Sequence, residues 1–193
     1  WSSDVCSSDL DLEGFRLDRG FQVLLPAYPT AGRLATTADL NAHPMASGML
    51  AMVQGRLYPL LDPQRHPKAL PGTLTAPIGD AGDKLRLAEL GFRSRFGMLR
   101  RPPESGETTA AYLGRLGFSA TVIDRLFRPF LSGVFLEREL VTPATVFIQA
   151  FDAFTKGGAW LPASGIRALP ELLAHRLALG TIEYSTRVLS VAA

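Results

Sequence analysis

The chain has 193 residues, with 20 Lys and Arg against 18 Asp and Glu, one cysteine, and a hydrophobic content of 47% that suffices for one large or two small cores. No stretch reaches the roughly 18 uncharged apolar residues of a spanning helix, so none is expected. A single cysteine excludes a disulfide scaffold and a cysteine-built zinc or iron–sulfur centre, and a net charge of +2 is too weak to argue for nucleic acid.

Residues 1–10 (WSSDVCSSDL) are polar, Ser-rich and unlike the rest of the chain. A disordered tail is the plain reading. Codon by codon, however, TGG AGT TCA GAC GTG TGC TCT TCC GAT CTN encodes the segment, and that string resembles a sequencing-library adapter. Residues 1–10 are therefore set aside as an adapter artefact. Taking out Asp4, Asp9 and Cys6 leaves 20 basic against 16 acidic residues and no cysteine. On this reading the chain is an interior fragment, with natural sequence expected on both sides.

Residues 14–25 (GFRLDRGFQVLL) alternate apolar and polar positions, which predicts two short strands around a bend at Asp18-Arg19-Gly20, closed by Pro26 and Pro29. Residues 37–40 read as a turn or short helix stopped by His43-Pro44. Residues 48–61 predict a hairpin about Gln54-Gly55, with Tyr58-Pro59 placing the second strand at an edge. Residues 62–77 are Pro-rich and read as irregular. A helix capped by Asp80 or Asp83 is expected to run to Arg101, with breaks at Gly91 and Gly97 and a stop at Pro102-Pro103.

Thr108 or Thr109 caps a helix through Leu116, and Ser119 caps another over 121–130, kinked or broken at Pro129. Thr142-Pro143 opens a helix over 143–154. Residues 160–165 read as a loop, 166–179 as an amphipathic helix closed by Gly180, and 181–192 as a strand. The fold class expected is α/β or α+β, with an outer domain interrupted by a mostly helical excursion.

His43, His66 and His175 stand in unrelated settings, without a second ligand at helical spacing, and read as surface or structural histidines. The sequence has no GxSxG, HExxH or GxxxxGK[ST] motif. Arg86, Arg93, Arg95, Arg100 and Arg101 interleave with Phe92, Phe96, Met98 and Leu99. Such a helix either packs its apolar side on a core or lies on an anionic membrane surface. These features alone reach no function.

Taken in order, GFRLDRGFQVLLPAYP, LLDP, DKLRL, RPFLSGVFLERELVTPA, LPASGIRALPELLAHRL and TRVLSV resemble the flavin-dependent superfamily of amine oxidases, phytoene desaturases and protoporphyrinogen oxidases. The likeness covers residues 11–191 and is greatest to the bacterial phytoene dehydrogenase-like NAD(P)/FAD-dependent oxidoreductases. It implies a Rossmann-like FAD domain whose chain leaves to build a substrate domain and returns. The boundaries expected are 11–40 for a flavin-contacting segment, 41–150 for the substrate insert and 151–193 for a truncated return.

The resemblance also implies roles for particular residues. Asp18-Arg19-Gly20-Phe21-Gln22 matches the segment along the isoalloxazine ring, where a glycine lets backbone approach a flat ring. Gly20, Phe21 and Gln22 are therefore expected at the cofactor. Residues 161–165 (LPASG) match the family's P-x-G-G loop, with Ser164 in place of its first glycine. Val188 matches the valine whose backbone meets the adenine.

The GxGxxG that seats the FAD pyrophosphate is absent here and is expected upstream. No catalytic side chain is assigned, and no metal is expected. The implied activity of the complete protein is hydride transfer from a small hydrophobic substrate (amine, polyene or porphyrinogen-like) to FAD, the fragment alone being inactive. The alternative is a non-catalytic membrane-surface or partner-binding module using the basic helix 84–101. Neither reading expects nucleic acid. A cytoplasmic protein is expected, with peripheral association at the inner membrane face as an option. Tyr58, Phe127, Phe130, Phe135 and Phe147 could line the substrate wall or pack a core.

Overall fold

The computed structural model describes residues 9–18, 20, 23–62, 65–98, 103–183 and 185–191. The fold is a mixture of helix and strand, α+β in class. Every sheet among the described residues is an antiparallel pair. The chain divides into two compact units, one of residues 46–157 and one of residues 1–45 with 158–193.

The unit 46–157 opens with the hairpin β4 (Gly48–Val53) and β5 (Arg56–Leu61). Gln54 and Gly55 turn it with φ of 51° and 76°, the doubly left-handed turn that matches strand twist. Its inner face puts Ala51, Val53 and Leu60 into the core. A short helix α2 (Leu70–Thr75) then occupies part of the stretch expected to be irregular, with Pro71 in its first turn, where the missing N–H costs nothing.

Helix α3 (Ala81–Arg95) starts on a reciprocal cap: the Asp83 N–H donates to Asp80 Oδ1 at 2.7 Å and the Asp80 N–H donates to Asp83 Oδ2 at 3.2 Å. It runs through Gly91 without a break and ends before Arg101. Gly97, at φ 67°, donates to the Ser94 carbonyl at 3.1 Å, and the Met98 N–H donates to that of Arg93 at 2.8 Å. This left-handed closure satisfies the last carbonyls ahead of any proline. Arg100, Arg101 and Pro102 lie outside the described residues.

Helix α4 (Thr109–Arg115) is capped by Thr108 Oγ1, which accepts from the Ala111 N–H at 3.2 Å, and closes at Gly117 in the same left-handed fashion. Ser119 caps α5 (Ala120–Val122). Of the kink or break expected at Pro129, the break does not occur. Residues Ile123–Phe127 form a widened turn in which the Arg128 N–H reaches the Ile123 carbonyl, and α6 (Arg128–Phe135) continues directly from it. The wider turn relieves the clash a proline ring makes with the carbonyl four residues back.

Helix α7 (Ala144–Gly157) begins one residue later than expected. The Thr142 hydroxyl donates to Glu137 Oε1 at 3.0 Å instead of capping α7, while its carbonyl accepts from the Thr109 N–H at 2.9 Å and the Thr109 hydroxyl at 2.7 Å. The starts of α4 and α7 are thereby tied together. Between them Phe127 stacks edge-on against Phe118 and Phe147, with ring centroids 4.9 and 6.1 Å apart. Tyr112 and Phe147 are almost fully buried at the centre of this core.

In the other unit β1 (Asp9–Leu12) pairs with β2 (Phe15–Asp18). The turn of this pair is at Glu13-Gly14, with φ of 51° and 83°. Gly20 lies in a bend after β2, and Arg19, Phe21 and Gln22 of the expected bend and second strand lie outside the described residues. Helix α1 (Pro29–Leu34) comes next, opened by a first-position proline. Strand β3 (Ala42–Pro44) then pairs with β6 (Trp160–Pro162), which lies inside the stretch expected to be a loop. Helix α8 (Ala168–His175) is shorter than the 166–179 expected. Residues 181–191 form no strand among the described residues.

Candidate functional site

Leu24 and Trp160 form an isolated antiparallel bridge, the Leu24 N–H donating to the Trp160 carbonyl at 2.8 Å and the Trp160 N–H to that of Leu24 at 2.9 Å. This joins the chain four residues past Gly20 to the residue just before the LPASG loop. The β3–β6 ladder extends the attachment, pairing His43 with Leu161 and Ala42 with Pro162, and the Met45 N–H adds a bond to the Ala159 carbonyl at 2.8 Å.

Under the bridge lies a small apolar cluster. Leu24, Ala35 and Leu40 are buried, and Trp160, Ala168, Leu169 and Leu172 pack on them. The loop beyond Pro162 turns on a bond from the Gly165 N–H to the Pro162 carbonyl at 3.0 Å. Gly165 takes φ 81° there, a conformation that favours glycine. The chain enters α8 immediately after.

A polar clasp sits beyond α8. Arg176 donates to the Leu34 carbonyl, and its Nη2 stands 3.7 Å from Asp39 Oδ2. Asp39 also accepts from the Thr36 N–H at 2.8 Å, and its own N–H donates to Thr36 Oγ1 at 3.1 Å. The Thr36 N–H and hydroxyl, with help from Arg176, hold the Asp39 carboxyl below the usual carboxylate range.

Gly20 is exposed in a bend after β2, and no heavy atom lies within 4 Å of where its Cβ would stand. Phe21 and Gln22 lie outside the described residues. Val188 is 73% exposed in a stretch without regular structure. The structure thus joins the segment beyond Gly20 to the residue that leads into the LPASG loop. Sequence reasoning passed over Trp160, whose one signal was its place between Gly157-Gly158 and the loop.

His43 sits in β3, His66 ahead of a single tight turn and His175 at the end of α8. Among the described residues no group of three His, Cys, Asp or Glu is placed to hold a metal ion. Phe127 and Phe147 are buried core, and Tyr58, Phe130 and Phe135 pack against that core in part.

A family model of flavin containing amine oxidoreductases matches residues 5–193. The chain belongs to that family. No curated protein matches it. The family's cofactor is FAD, and its chemistry is oxidation and reduction.

A flavin sets a simple test: a flat ring needs backbone it can reach without a Cβ in the way. The space beside the Gly20 Cα is open, as it is at Gly14, Gly55 and several other glycines. The described residues contain no strand-to-helix phosphate seat of the GxGxxG kind.

Proposed function

We propose that the complete protein transfers a hydride from a C–H or C–N bond of a small hydrophobic substrate to FAD. Amines, polyenes and porphyrinogen-like molecules are the candidate substrate classes. Bound FAD supplies the hydride-accepting chemistry, and the protein supplies orientation and dryness.

The observation that carries this reading is the family match over nearly the whole chain, running through the bridge that ties the Gly20 segment to the LPASG loop. In it, the unit of residues 1–45 and 158–193 belongs to a Rossmann-like FAD domain, and residues 46–157 make the insert that faces substrate. Gly20, Phe21 and Gln22 offer backbone along the ring, where N–H groups favour the charge that reduction brings. Val188 offers backbone to the adenine. The non-catalytic module is not favoured, because the family carries a redox cofactor.

The test is reconstitution. A polypeptide carrying this sequence behind a GxGxxG-bearing βαβ unit should purify yellow, bleach anaerobically with its substrate and recolour in air. This chain alone, lacking that unit, should hold FAD weakly and turn nothing over. A colourless extended protein that gains no absorbance from added FAD would overturn the reading.

A further inference from the structure

We draw no further inference here: the strongest candidate, the outward apolar face of the β4–β5 hairpin on which Leu50, Met52 and Leu57 stand exposed, is an unpartnered sheet face, and nothing in the structure shows what covers it.

Discussion

Leu24 and Trp160 exchange both of their backbone hydrogen bonds, at 2.8 and 2.9 Å, although most of the chain lies between them. Two bonds alone contribute little net free energy. What fixes the bridge is the packing of Trp160, Ala168, Leu169 and Leu172 on Leu24, Ala35 and Leu40.

Trp160→Ala should therefore destabilise the unit of residues 1–45 and 158–193 by about 2 kcal/mol, less than a fully buried tryptophan because this one is half-buried. The effect should appear in urea melts and in faster amide exchange at Leu24. The unit 46–157 has its own core and should melt unchanged.

Asp83 is 1% exposed and holds together two helix starts. It accepts from Ser119 Oγ at 2.5 Å and the Ser119 N–H at 2.9 Å, besides closing the cap with Asp80. Burial pushes its carboxyl up, but the hydrogen bonds from Ser119 and Asp80, with Arg86 nearby, outweigh burial and hold it below the ordinary value. The folded pKa is thus below the unfolded one, so the contribution is full above the unfolded value and fades as pH falls. Asp83→Asn should cost about 2 kcal/mol at neutral pH, because an amide nitrogen cannot accept from those donors. It should also flatten the acid limb of the stability–pH curve, measured by denaturant melts at stepped pH.

Gly97→Ala tests the closure of α3. No heavy atom lies within 4 Å of the Cβ position, so sterics with neighbours contribute nothing. The whole cost is conformational, from holding an alanine at φ 67°. About 1 kcal/mol is expected from melts, with fraying confined to the last turn of α3 in amide exchange. Gly91→Ala, inside the same helix and equally open, should instead stabilise by several tenths to about 1 kcal/mol.

These positions also show what the sequence makes legible. Asp80, Thr108 and Ser119 act within three residues of themselves, so their caps can be read from the chain alone. The Gln54-Gly55 hairpin is local for the same reason. At Pro129 the sequence leaves kink and break open, and the widened turn at Ile123–Phe127 that carries the helix past it is seen only in the structure. Residues 181–191 have strand composition but form no strand among the described residues, because strand formation depends on distant neighbours that are not written locally. For the candidate site, the order of segments carried the family. The bridge at Trp160 became visible only in three dimensions.

Glu107 and Arg115 give the clearest dependence on pH. Arg115 donates from Nε at 2.7 Å and Nη2 at 2.6 Å to the two Glu107 oxygens, a bidentate pair, and its guanidinium also sits 5.2 Å from the Tyr112 ring centre. The Arg115 hydrogen bonds lead in pulling the Glu107 carboxyl down to about 2, against a smaller upward push from burial. Its folded pKa lies below the unfolded one, so the pair's contribution is present above the ordinary carboxylate value of about 4.3 and is lost as pH falls toward 2. Carbon-detected NMR of the Glu107 carboxyl should show a midpoint near 2 in the native protein. Arg115→Lys, which keeps the charge and loses the fork, should raise that midpoint part of the way, and Arg115→Ala should raise it further. A midpoint unmoved by Arg115→Ala would show that the guanidinium is not what holds the carboxylate ionised.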